Sequence, residues 1–174
     1  MRQSFANKPR GFTIVELLIV IVVIGILAAI TIVAFNGVQN NANDAAVKSN
    51  LTAFAKKYEL FKVDSATDKY PFGNTSTGLD SIPTPISKNA YSTSVSYNLL
   101  NCTSSVAPGS DYALLAISKS GKRFWVGSQS GGVREYTGTD SWGLIGMCTS
   151  VLGGSEGNGA GWSMGGGGWR PWVS

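Results

Sequence analysis

The chain has 174 residues, 43% of them hydrophobic and 14% charged, with Lys+Arg 14 against Asp+Glu 10, two Cys and no His. The lack of His removes the commonest zinc ligand and the base of any Ser-His-Asp or Cys-His nucleophile, which excludes those enzyme classes. The length allows one domain plus an appendage, and the net charge of +4 raises nucleic acid or anionic lipid as a partner, depending on where the cations fall.

The apolar excess lies at the start. Between Phe12 and Phe35 the only charge is Glu16, and Thr13 and Thr31 are the only other polar side chains. As a helix this segment spans roughly 36 Å at about 1.5 Å per residue, enough for a hydrocarbon core of about 30 Å. Arg2, Lys8 and Arg10 precede it with no acid, which predicts a cytoplasmic N-terminus and an exported remainder. A secretory signal peptide is the first alternative. Its apolar run is shorter, and cutting after Ala29 or Ala28 would put Leu27 or Ile26 where a small residue is required. A plain signal anchor is the second alternative, and Glu16 argues against it. An ionised carboxylate in hydrocarbon costs roughly 2.5–3.5 kcal/mol on insertion scales, so an acid there marks a function with a partner. No Lys or Arg lies between Arg10 and Lys48, so the counter-charge must come from outside this segment.

The string Lys8-Pro9-Arg10-Gly11-Phe12-Thr13-Ile14-Val15-Glu16-Leu17, continued by Leu18-Ile19-Val20-Ile21, resembles the N-terminus of type IV pilins and the related pseudopilins. The likeness covers about residues 8 to 32. It implies that a membrane-embedded prepilin peptidase cuts between Gly11 and Phe12, that the new N-terminus at Phe12 is methylated, and that Glu16 pairs with the α-amino group of Phe12 on a neighbouring subunit during assembly. The physical logic is independent of the likeness. Cleavage creates a cation where the chain had none, and that cation can neutralise a neighbour's acid in a medium hostile to unpaired charge. Head-to-tail pairing leaves a free site at each end and so generates a helical filament.

The helix is expected to continue to about Val63. Val47, Leu51, Phe54, Tyr58 and Phe61 recur at spacings of four, three, four and three, a packing face for a globular domain or, less simply, a short coiled-coil seam. Family members commonly carry a proline in the apolar half, where this chain has Val33; Gly25 and Asn36-Gly37 are the weak points that remain. From Ser65 to Ala90 a Thr/Ser/Gly/Asn-rich stretch with Pro71, Pro83 and Pro85 reads as a long loop. Ser94 to Leu100, Tyr112 to Ser118 and Arg123 to Ser128 have strand character, Val133 to Thr137 is a weaker fourth, and Lys119-Ser120-Gly121-Lys122 signals a hairpin. The fold class is therefore α+β: a long N-terminal helix packed on a small antiparallel sheet, which is also the pilin fold that the resemblance implies. The domains are 1–11, leader; 12–36, apolar membrane and polymerisation half of the helix; 37–64, amphipathic half; 65–152, loop and sheet; and 153–174, tail.

Cys102 and Cys148 lie in the part expected to be exported, where disulfides persist; a bridge tying the start of the sheet to the loop after its last strand competes with a pair of buried thiols. A bridge also resembles the C-terminal disulfide loop of many pilins. In the tail, nine of the 16 residues from Gly153 to Gly168 are Gly, and Trp142, Trp162, Trp169 and Trp172 fall in the last 33 residues. This is either a loosely ordered tail covering its own domain or a contact surface for neighbours or an external ligand.

No enzyme is expected. Asp64, Asp68, Asp80, Asp111, Glu135, Asp140 and Glu156 are dispersed, without a pair at catalytic spacing. No cofactor or metal site is expected either. The resemblance implies a pilus subunit whose precursor sits in the cytoplasmic membrane and whose assembled form is extracellular. Its implied partners are prepilin peptidase, other copies and minor pilins, an inner-membrane platform with its ATPase motor, and membrane lipid before assembly. The alternatives are a minor pilin or pseudopilin for secretion or DNA uptake, and a single-pass anchored binding or adhesion domain. Removing residues 1–11 lowers Lys+Arg from 14 to 11 and the net charge from +4 to +1. DNA binding by bulk charge then loses its main support, leaving a local patch such as Lys119, Lys122 and Arg123.

Overall fold

The computed structural model describes residues 11–70, 88–95, 97–104 and 109–152, with the backbone alone at residues 104, 144, 145 and 157–162. The leader, the prolines of the 65–90 loop and the side chains of Trp162, Trp169 and Trp172 lie outside them. The chain forms two compact units, the first ending at Gln39 and the second starting at Asn40.

Helix α1 runs over Ile14–Asp64, close to the Phe12–Val63 expected from the sequence, and is unbroken at Gly25 and at Asn36-Gly37. In the first unit every described side chain is exposed. A contiguous apolar surface of this extent requires a membrane or a partner to cover it. The hydroxyl in its middle is satisfied locally, because Thr31 Oγ1 donates to Ala28 O at 2.9 Å.

The second unit is built on the apolar stripe of α1. Val47, Leu51, Phe54 and Tyr58 are fully buried, and Phe61 packs at the edge of the same cluster. Each such side chain contributes roughly 1.5–3 kcal/mol on leaving water. Opposite them lie Leu99, Tyr112, Leu114, Ala116, Phe124 and Val126. These belong to strands β1 (Leu99–Ser104), β2 (Tyr112–Ile117) and β3 (Arg123–Gly127). With β4 (Arg134–Glu135) and β5 (Gly157–Trp162) they form an antiparallel sheet of order β4-β3-β2-β1-β5. The register sets Asn101 against Leu114 and Leu114 against Val126. The β2–β3 hairpin turns at Gly121, whose φ of 91° is the left-handed conformation that glycine adopts without a Cβ penalty.

Three expectations are corrected. The first strand is Leu99–Ser104, not Ser94–Leu100. Ser92 and Ser94 share a hydroxyl hydrogen bond of 2.7 Å, and Ser94 N donates to Ser92 Oγ at 3.3 Å, so local side-chain bonding holds the chain in a turn where a ladder was expected. The fourth strand shrinks from Val133–Thr137 to Arg134–Glu135. The segment after it is not a loop but helix α2, Leu144–Val151, which buries Met147 and Cys148 against Leu100, Cys102, Ala113 and Leu115 on the second sheet face. The sheet is thus covered on both sides, which explains why all six residues of β2 are buried. The Gly-rich tail supplies β5 through its backbone, paired with β1 from Leu99↔Trp162 to Ser104↔Gly157.

Cys102 and Cys148 are joined in a disulfide with their Cα atoms 5.3 Å apart. The bridge ties an interior strand to α2.

Candidate functional site

The segment that carries the chemistry starts just before α1. Residues 11–13 are not helical and Gly11, Phe12 and Thr13 are exposed, so the Gly11–Phe12 peptide bond stands clear of helical hydrogen bonding. A Cβ built on Gly11 meets nothing within 4 Å. Nothing in the described part of the chain requires glycine there, so any requirement for it comes from whatever reads this junction.

Thr13 caps the helix. Its amide donates to Glu16 Oε2 at 2.9 Å, its hydroxyl donates to the same oxygen at 2.9 Å, and the Glu16 amide donates to Thr13 Oγ1 at 3.2 Å. This reciprocal arrangement is a capping box, set by the spacing Thr-x-x-Glu. The sequence reading sought the partner of Glu16 outside the apolar segment; the structure supplies a neutral one within it and leaves the need for a counter-charge unchanged. The Thr13-x-x-Glu16 spacing itself carries this signal. Among the described residues only Oε2 is engaged and Oε1 accepts no hydrogen bond. A cation can therefore approach Oε1 without dismantling the cap. Because Thr13 would keep its amide in a chain cut before Phe12, such a cut would leave the cap in place.

Thr13→Val keeps the shape and removes the hydroxyl. The cap should lose about 1 kcal/mol, and hydrogen exchange at the first-turn amides in nanodiscs should accelerate about fivefold. Unchanged exchange would show that the box does not hold the helix start.

Asp111, Glu59 and Asp140 of the globular unit are engaged in local structure. Asp111 accepts from Ser128 Oγ at 2.9 Å, Gln129 Nε2 at 3.1 Å and Ser110 Oγ at 3.2 Å. The Gln129 and Ser128 bonds hold its carboxyl below the usual value. Glu59 accepts from the Tyr70 hydroxyl at 3.0 Å and the Tyr112 hydroxyl at 3.5 Å. Burial, followed by the Glu59 bond, pushes Tyr70 up to about 12, so it remains a donor and ties the end of the first described stretch to α1. Asp140 accepts from Tyr136 Oη, and from Ser150 Oγ at 3.0 Å. These contacts fix turns and helix ends; they do not converge on a common point where a reacting atom could sit. Of the expected basic patch, Arg123 is committed to structure, donating to Asp140 O at 2.7 Å and lying 6.0 Å over the Trp142 ring.

Comparison with known proteins bears on the same segment. The family described as the prokaryotic N-terminal methylation motif matches residues 6–32. The type II secretion system core protein G of Escherichia coli K12 is 33% identical over 76 residues, 44% of this chain and 50% of that protein. The type IV major pilin of Myxococcus xanthus is 42% identical over 71 residues, 40% of this chain and 31% of that protein. The type IV narrow pilus major component of Thermus thermophilus is 35% identical over 105 residues, 59% of this chain and 90% of that protein. The chain spans about half the length of the secretion core proteins it matches. No solved structure matches. The likeness to the narrow pilus component extends over nearly that whole protein, well past the terminal motif, and with the long helix and antiparallel sheet it places this chain in the type IV pilin and pseudopilin family.

Proposed function

We propose that the chain is the structural subunit of a type IV pilus-like filament. Prepilin peptidase cuts it between Gly11 and Phe12, the new N-terminus is methylated, and copies polymerise through the apolar half of α1. One observation carries this reading: an exposed apolar helix, headed by a capped Glu16 whose Oε1 is open to the cation that cleavage would create on a neighbour's Phe12. The boundaries follow, with residues 1–11 as leader, 12–36 as polymerisation half, 37–64 as the helix that carries the domain, 65–152 as the loop and most of the sheet, and 153–174 as the tail, which supplies β5 to that sheet. The precursor resides in the cytoplasmic membrane and the product at the cell surface. The partners are prepilin peptidase, further copies, minor pilins, the assembly platform and its ATPase motor.

A pseudopilin of a secretion system is the second reading, favoured by the likeness to the secretion core proteins. The two separate by abundance, since a pilus subunit dominates sheared surface filaments.

Mass spectrometry of the protein from its native membrane tests the processing step. The expected N-terminus is Phe12 with one methyl group. A chain that keeps Met1, or starts well beyond Phe12, overturns the reading and leaves a membrane-anchored binding domain in its place.

A further inference from the structure

Within the second unit, the turn of the β2–β3 hairpin and the end of β4 border an open cleft of about 380 Å³, inside the size range of small-molecule sites. The register of β3 with β4 builds it. Phe124 is paired with Glu135, and Tyr136 N donates to Arg123 O at 2.8 Å. Arg123 and Tyr136 therefore stand side by side in its wall, with Lys122, Glu135 and Thr137 around them. Two of these side chains are held in place by further contacts. Tyr136 Oη donates to Asp140, and its ring lies so close to Gly138 that a Cβ there would collide with it; glycine at 138 is what lets the ring fold back towards Asp140. Arg123 Nη1 donates to Asp140 O at 2.7 Å, and the guanidinium lies 6.0 Å over the Trp142 ring. These contacts fix the plane of the guanidinium and use one of its five N–H donors, which leaves the Nε–Nη2 edge to a second partner.

The two cations of the cleft are not answered alike. Lys122 Nζ lies 3.9 Å from Asp44 and 3.8 Å from Glu135. The Asp140 carboxylate accepts from Tyr136 and Ser150, and Asp140 reaches Arg123 through its backbone carbonyl. Arg123 thus has no carboxylate within 4 Å among the described residues. Beside it Glu135 presents a half-exposed carboxylate, a group that only accepts hydrogen bonds. The ligand that fits carries one negative charge for Arg123, hydroxyl donors for Glu135 and an apolar face for the Tyr136 ring.

We propose that this cleft binds an acidic sugar, with its carboxylate on the Arg123 guanidinium, the C–H face of its ring on Tyr136 and its hydroxyls on Glu135 and Thr137. A carboxylate meets the guanidinium edge with two parallel hydrogen bonds, a geometry that a lysine cannot offer. The aromatic ring supplies an apolar surface with a wet rim. A phosphate or a nucleic-acid backbone fits less well, because Glu135 repels further negative charge in the same cleft. A simple carboxylate leaves Glu135 and Tyr136 without a partner. The inference depends on neither processing nor polymerisation.

The test uses the full chain in nanodiscs, titrated with methyl glucuronide and methyl glucoside and read by saturation transfer to the sugar C–H protons, with acetate and inorganic phosphate as competitors. Methyl glucuronide should bind with its ring protons saturated, and methyl glucoside about tenfold more weakly for want of the carboxylate. Arg123→Lys keeps the charge and loses the fork, so it should weaken glucuronide about tenfold. Glu135→Ala removes a surface ion pair of little worth to the fold. It should weaken glucuronide about fivefold while making acetate a better competitor, since a hydroxyl acceptor and a repelling charge are lost together. No saturation transfer at about 50 mM glucuronide, far above the ~1 mM scale of a weak site, overturns the proposal. Equal affinity for the two sugars, or a glucuronide affinity unchanged by Arg123→Lys, overturns it as well. Tighter glucuronide binding in Glu135→Ala, or displacement of glucuronide by equal acetate or phosphate, overturns it in favour of a general anion site. Should Arg123→Lys fail to fold, the sign of the Glu135→Ala effect decides.

Discussion

Glu16→Gln is expected to leave the chain inserted and processed while reducing filaments recovered by shearing about 100-fold. Each contact in a filament would then strand a Phe12 ammonium in an apolar medium, at roughly 2.5–3.5 kcal/mol, and every 1.4 kcal/mol is a factor of ten. Gln is chosen because it can still serve as the acceptor of a capping box with Thr13. The substitution thus removes the charge and leaves the helix start intact, which a truncation to Ala would not do. Normal filament numbers from this variant would sink the pairing of Glu16 with Phe12, even if the mature terminus were found at Phe12. Loss of filaments together with loss of insertion would instead place the role of Glu16 in membrane entry, and would equally count against the assembly role.

The second large effect is expected in the globular unit. Removing the bridge by Cys102→Ala with Cys148→Ala relaxes a link across a sequence separation of 46 residues. Chain entropy puts its contribution at about 4 kcal/mol, a large fraction of the 5–15 kcal/mol typical of a folded protein. Thermal unfolding in nanodiscs should shift down by on the order of 10 °C. Hydrogen exchange should rise earliest in α2 and β5, since α2 is held to the sheet by that bridge and by Met147, and β5 pairs with β1 through its backbone. The stripe of α1 should stay protected, because its burial against β2 and β3 does not pass through the cysteines. A variant that melts with the parent protein would show that apolar packing alone secures α2.

The legible parts of the fold are those whose signal is local. Val47, Leu51, Phe54 and Tyr58 announce a buried helix face by spacing alone, and the structure buries all four. Strands β2 and β3 were found within a residue of their ends because apolar and aromatic residues flank a Lys-Ser-Gly-Lys turn. The apolar run of β2 is continuous. A strand without alternation is covered on both faces, so a second layer such as α2 could have been anticipated. Helix α2 itself is preceded by Gly143, which offers no side-chain cap, and contains Gly146, so it carries no helical signal. Strand β5 reads as a linker because three of its six residues are Gly.

The candidate site divides the same way. Gly11, Phe12 and Glu16 stand out in the linear order, since a basic leader, a junction glycine and a lone acid in an apolar run each have a meaning that needs no fold. The amino-acid sequence by itself determined the long apolar helix and the helix face that carries the domain, because periodicity and transfer free energy act within a single segment. Tertiary structure decided where β1 begins, that Gly157–Trp162 is a strand, that Cys148 lies on a helix, and that Ser120 and Lys122 of the hairpin meet Asp44 of α1. Each of these depends on a partner tens of residues away. A glycine-rich backbone becomes a strand only when β1 offers its hydrogen bonds, and a hairpin lysine finds its acid only once the sheet has docked on α1.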